Sequence, residues 1–550
     1  MKKLIFSAIL ITAFLIIGVD GQTKTLSVGQ LEEDFALVKR ALKTLHPGIY
    51  RYQTPEETRR IWAGYQAEIK RPLSEGEFFL LLSRLTAQIH CGHTYLNPYN
   101  QDPQVRDRLF GGKIHLPFYF QIVDGKMMVT HNASAEDLSR GSEIRKINGI
   151  SSEKIIETLL TVTKGDGMNT LGHRIGSVEL TRFEAESYAL FDWYFPLFFP
   201  LDSAAFTIEA VDFAARKRSA FRVPAMTKEE RSAKMAERYG PAPTYDDGWK
   251  FEIRKDSTGY LKIENSITWK LEKIKFRDFL SDAFARLRAE KIKNLIVDLR
   301  GNGGGDTSVG LELARYLVKE DRPRYLNGRR LVRNVAAQKG LAKYVDTYSD
   351  ELKFALQNGI PAGMYRRAED GFYEILPDEV ADEKAGVAPY ENNFRGTAYI
   401  ICDASNASAT FQFLSYAQEN DLAIIVGQTT GGNKQGINGG GYFFLNLPNS
   451  QIEIDIPVIF SAPLKPQKDE SVIPDVIVDK RPEDIGNDFD REISVVKKLI
   501  ENRPPTIKDK NPRSEIRNPK SNYSGIQNTR PPSETFFRPS FGRSDSETPR

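Results

Sequence analysis

Three short segments of this 550-residue chain hold residue types able to do chemistry. The first is Asp298-Leu299-Arg300-Gly301-Asn302-Gly303-Gly304-Gly305-Asp306, where an apolar strand runs into four glycines and then a helical pattern. Glycines there permit positive φ and close backbone approach, and they leave N–H groups free to face an anion. Such a loop can cradle a dinucleotide phosphate, hold an oxyanion, or simply turn the chain tightly. The phosphate reading lacks support: position 306, where G-x-G-x-x-G needs glycine, is Asp306, and no Lys-Ser/Thr follows. The second segment is Asp403-Ala404-Ser405-Asn406-Ala407-Ser408-Ala409-Thr410, between an apolar strand and a helix. A serine at a helix N-terminus sits at the positive end of the dipole, and the Ala409 N–H has no partner within the helix. That geometry suits a nucleophile, although Ser405 or Asn406 can equally be a plain N-cap. The third is His90-Cys91-Gly92-His93-Thr94, which holds two of only six histidines. Its spacing fits no standard zinc pattern, and no second ligand pair is evident, so no metal is expected. A histidine here can act as general base only if the fold brings it to the nucleophile.

The elements that must position these segments are legible. Leu31, Phe35, Val38, Leu42 and Leu45 recur at helical spacing, and the His46-Pro47-Gly48 break ends that helix. A second helix starts near Thr54-Pro55-Glu56-Glu57, and a third, from Ser74 to Ile89, opens with a Ser74/Glu77 capping box and leads into the histidine segment. Region 22–108 is therefore read as helical. Region 109–165 changes to short strands around the Asp124-Gly125 turn, followed by a helix from Ser152 to Leu160. Region 166–250, with an aromatic run (Phe191 to Phe199) and a charged stretch (Lys228 to Arg238), is read as an insertion or linker with a buried aromatic patch. From 251 to 503 strands and helices alternate, the signature of an α/β domain. Asn294–Leu299 and Ala398–Cys402 are its strands leading into the two loops, and Tyr442–Leu447 with Ile452–Phe460 predicts a hairpin.

Composition sets the compartment and excludes some classes. Hydrophobic residues are 40% and charged residues 27%, a globular balance. Net charge is +3, but the last fifty residues hold ten basic and six acidic groups, which leaves the other 500 at −1. No nucleic-acid partner is expected from that balance. Met1-Lys2-Lys3, an apolar run from Leu4 to Val19 and then Asp20-Gly21 read as an export signal over 1–21, cleaved after Gly21. The expected location is periplasmic or extracellular, with membrane contact only through that segment if it stays uncleaved. Region 504–550, rich in Pro, Ser, Asn and Arg, is expected to be a disordered tail. Two cysteines cannot make a disulfide framework, and both Cys91 and Cys402 are expected to be free thiols.

Taken together the segments resemble the tail-specific, C-terminal-processing serine peptidase family, in particular its tricorn-like branch. The resemblance rests on five pieces in order: Gly92-His93-Thr94, a PDZ-like stretch from Gly141 to Gly149, Asp298 to Gly305, the serine segment, and Val426 to Gly432. It implies an α/β multidomain protein with an N-terminal helical region, a PDZ-like β-rich module over 109–165 and a crotonase-like (spiral ββα) catalytic domain over 251–503. It also implies hydrolysis of peptide or protein substrates without a cofactor. Ser408 matches the nucleophile and His93 the general base; Ala409 and a glycine among Gly303, Gly304 and Gly305 match the oxyanion hole. Thr94 matches a supporting hydroxyl, and Glu470, before Pro474-Asp475, a supporting carboxylate. Lys434 matches the base of the Ser-Lys branch and stands as the alternative. Cys91 departs from the family, which usually has Asp there. A non-catalytic relative that binds an apolar ligand or a peptide is the competing reading, and the oligomeric state is not readable.

Overall fold

The computed structural model describes residues 24–183, 189–326, 328–376 and 386–502. The segments expected to be an export signal (1–21) and a disordered tail (504–550) lie outside the described residues. Three helices, Val28–Leu45, Pro55–Glu68 and Glu75–Ala87, each begin with a capping box, set by Ser27, Thr54 and Ser74. Leu31, Phe35, Val38, Leu42 and Leu45 bury one face of the first helix, and Phe78, Leu81, Leu82 and Leu85 bury one face of the third. The third helix then delivers the chain straight into the histidine segment.

An antiparallel sheet follows, in the order Phe118–Val123, Lys126–Asn132, Glu143–Ile147, Ala205–Val211, Arg218–Pro224. Its last two strands correct the expectation for 166–250. That region is not a linker: it completes the sheet begun in 109–165, with Ala205–Val211 paired to both neighbours. The alternation in Ala205–Val211 is visible in the burial pattern but is short. The aromatic run forms the helix Leu190–Phe198 and is buried, as expected, through Phe191, Trp193, Tyr194 and Phe195. The charged stretch is the helix Lys228–Tyr239, pinned by an ion pair between the fully buried Arg231 and Asp192.

The α/β part is built on a six-stranded sheet, ordered Val476–Ile477, Ile424–Gly427, Thr397–Cys402, Asn294–Asp298, Thr258–Ile263, Trp249–Ile253. Every neighbouring pair is parallel except the last. Asn294–Asp298 and Thr397–Cys402 are adjacent, with Asp298 opposite Ile401. Two parallel neighbours end on the same edge, so the glycine loop and the serine loop leave the sheet side by side. The helices Thr307–Leu317 and Ser408–Glu419 then pack on one face of it around Leu313, Leu317, Phe413 and Leu414.

The hairpin exists as expected, with Tyr442 opposite Pro457 and Asn446 opposite Glu453. Its buried side chains, Leu445, Ile454 and Ile456, do not pack under the six-stranded sheet. They share one core with Leu31, Phe35 and Phe78 of the N-terminal helices. The N-terminal region is thereby welded to the α/β part.

Candidate active site

Ser408 is the first residue of its helix, half-buried, with φ at 47°. This left-handed conformation is costly for a non-glycine residue and is the kind of backbone strain held at functional sites. Two buried asparagines hold it. Asn406 donates through Nδ2 to Leu299 O (2.6 Å) and Asn302 O (3.0 Å), tying the serine loop to the glycine loop. Asn302 Oδ1 accepts from Gly304 N–H (3.0 Å) and from the Thr410 hydroxyl (2.8 Å). Gly304 lies so close that a Cβ on it would stand 2.8 Å from Ser408 Cβ and 3.0 Å from Ala409 N.

This refines the oxyanion assignment. Gly304 N–H already serves Asn302, so it is not an available donor. The Ala409 N–H lies in the unpaired first turn, and among the described residues the N–H groups of Gly303 and Gly305 make no backbone hydrogen bond. Asp298 and Arg300 are structural. Burial alone would raise the Asp298 carboxyl, but Arg300 (2.6 Å) holds it below the usual carboxylate range. Arg300 also pairs with Asp490 (2.9 Å) and Glu492 (3.3 Å), which clamps the strand end before the glycines.

His93, Ser408, Gly303, Gly304 and Gly305 line one cavity of about 1960 Å³. Residues more than 300 positions apart thus face a common space. A Cβ on Gly439 would stand 3.9 Å from His93 Nε2. On the other side of the ring, Asp166 Oδ2 is 3.9 Å from Nδ1. Burial pushes the His93 imidazole down to about 4; Asp166 opposes that shift, and Lys164 and His173 add to it. His93 is therefore neutral at pH 7, as a base must be.

Residues 257–446, which span both loops, match the sequence model of Peptidase family S41. The chain carries a peptidase family S41 domain. Mature CPAF bound to lactacystin superposes with a TM-score of 0.57 at 14% identity, covering 86% of this chain and 98% of that one. Mature CPAF alone gives 0.56 at 14% identity, covering 86% and 97%. The photosystem II D1 C-terminal processing protease gives 0.37 at 13% identity, covering 82% and 94%. At these identities the CPAF structures establish a shared fold. No curated protein matches the sequence significantly.

Around the S41 domain the remaining candidates separate. Thr94 does not support His93. Its hydroxyl is buried 2.7 Å from His46 Nε2, and His46 Nδ1 accepts Gly48 N–H, so Nε2–H is the donor. Glu470 does not support His93 either: it pairs with Lys434 at 3.3 Å. Lys434 lines the same cavity, yet its amine is engaged by that carboxylate and by Gln418 Oε1 (3.5 Å). Position in a motif does not fix side-chain partners, which follow from tertiary packing. Cys91 and Cys402 are both buried and unpaired.

Sequence reasoning missed Asp166 and His173. Asp166 lies in Lys164-Gly165-Asp166-Gly167, a stretch with only the look of a turn. His173 holds the serine loop, its Nδ1–H donating to Ala404 O at 3.0 Å. The local signal for Asp166 was its two glycine neighbours, Gly165 and Gly167; His173, between Gly172 and Arg174, carried none.

Proposed function

We propose that the chain is an exported serine peptidase in which Ser408 is the nucleophile and His93 the general base. His93 Nε2 takes the Ser408 hydroxyl proton as Oγ bonds to the scissile carbonyl carbon. The carbonyl electron pair moves onto oxygen, where Ala409 N–H and a glycine N–H from 303 or 305 receive it. Collapse breaks the C–N bond, and the imidazolium returns its proton to the leaving amine. Water repeats the sequence on the acyl-enzyme, releasing the acid and restoring Ser408. Each oxyanion donor contributes about 3–4 kcal/mol in comparable sites.

The observation that carries this reading is the seating of Gly304 against the strained Ser408, with His93 on the same cavity. The volume supports a polymer substrate, since small-molecule sites run to roughly 300–1,000 Å³. The antiparallel sheet of residues 118–224 is a fitting place for peptide binding by strand addition. Labelling by a fluorophosphonate, alongside cleavage of a peptide library, tests the assignment. The wild-type chain should label at Ser408 and cleave; Ser408→Ala should do neither, and His93→Ala should label on the order of 10³-fold more slowly. Undiminished labelling and turnover in Ser408→Ala would reject it.

A further inference from the structure

The reading above leaves His93 Nδ1 without an acceptor: it is buried and has no hydrogen-bond partner. Catalysis by the opposite nitrogen requires the ring to be held in the Nδ1–H tautomer. We propose that Asp166 is the positioning residue for His93, with Oδ2 accepting the Nδ1 hydrogen bond when the ring closes onto substrate-loaded Ser408. This rests on the peptidase reading and deepens it.

Asp166 is built for one place. Its side chain is 3% exposed. Oδ1 accepts Gly92 N–H at 2.8 Å, so the carboxylate is anchored to the residue before His93. Gly167 N–H donates to His90 O (3.0 Å), and Asn433 Nδ2 donates to Asp166 O (3.3 Å). The histidine turn and the 164–167 turn are thus locked together. A Cβ at position 92 would stand 2.7 Å from Oδ2, so only glycine admits the carboxylate so near. The second oxygen is left aimed at His93 Nδ1 from 3.9 Å. A ring movement of about 1 Å makes the bond, and catalytic hydrogen bonds are commonly this loose without substrate. The other candidates are committed elsewhere, Thr94 to His46 and Glu470 to Lys434. The groups facing His93 are Asp166, Lys164, His173 and the Tyr442 ring; among the described residues acting on its charge, Asp166 alone is negative. It alone can stabilise the imidazolium that forms.

The test is Asp166→Asn and Asp166→Glu in the full chain, with peptide hydrolysis followed from pH 3 to 9. Asparagine still accepts Gly92 N–H, so the fold is kept while the charge is removed. The expected result for Asp166→Asn is a kcat fall of about 10²–10⁴-fold with KM within about threefold. Its acid limb should move to lower pH, because the charge that raised the imidazole is gone. Asp166→Glu should recover at least about tenfold of that loss, as expected if a carboxylate is the working group. An Asp166→Asn enzyme keeping a third or more of wild-type kcat overturns the inference. So does a loss with an unmoved acid limb and no recovery by glutamate, which marks a purely structural residue. Inactive Ser408→Ala and His93→Ala beside a normal Asp166→Asn reject only this inference, whereas active Ser408→Ala and His93→Ala reject the peptidase reading itself.

Discussion

Gly304→Ala probes the junction on which the site depends. Gly304 has φ at +111°, a region closed to ordinary side chains. The added methyl would stand 2.8 Å from Ser408 Cβ, 3.0 Å from Ala407 O and 3.0 Å from Ala409 N. None of these atoms sits on a flexible side-chain end, so the backbone itself must yield. Backbone strain contributes about 1–3 kcal/mol and overpacking about 1–3 kcal/mol, a stability loss of roughly 2–6 kcal/mol if both loops hold. At about 2–4 °C per kcal/mol, melting should fall by at least roughly 4 °C. If the loops separate instead, part of that energy is relieved, but Ala409 N–H and the glycine N–H groups cease to converge. Losing one such donor lowers kcat about 10²–10³-fold. Melting and kcat on one peptide substrate therefore report the two outcomes, and a fall in either is expected. A variant within about threefold of wild-type kcat and within about 2 °C in melting would refute the packing argument.

Four more outcomes follow from the geometry. Because burial pushes His93 down to about 4, the acid limb of kcat/KM should lie near pH 4–5 in initial-rate measurements, not near the free-histidine value of 6.5. His46 and His93, pushed down to about 3 and about 4, are both neutral when folded, so the unfolded chain binds their protons first. Stability from both is present above about pH 6.5 and is lost as pH falls towards 4, which equilibrium unfolding at several pH values will register. Lys434→Ala should keep nearly wild-type kcat, since its amine is engaged by Glu470; an inactive Lys434→Ala beside an active His93→Ala would transfer the base role to lysine. Arg231→Ala strands the buried Asp192 carboxylate and should cost about 3–5 kcal/mol in denaturant unfolding.

The local chemistry of this chain is encoded locally. Capping boxes at Thr54 and Ser74, the strand-to-glycine passage at Asp298 and the helix start at Ser408 follow from neighbouring residues, and the structure has each of them. Such signals work because caps, turns and apolar periodicity act over a few residues. The strands of 205–224 form a local pair, but their place in the sheet was hidden because Ala205–Val211 joins it through Glu143–Ile147, over 50 residues away, and short strands carry little pattern of their own. The same limit governs the site. Ser408, His93 and Ala409 were visible through motifs, but the partners of Thr94, Glu470 and Lys434 were not. Asp166 carries no motif at all; it matters only because the turn at 164–167 packs on Gly92, where the absence of a Cβ admits its carboxylate. Nor could spacing reveal that the hairpin Tyr442–Asn446/Glu453–Pro457 shares a core with the N-terminal helices. That shared core brings His93 to the Ser408 cavity, because burial of apolar surface is non-directional in sequence and is decided only by which faces meet.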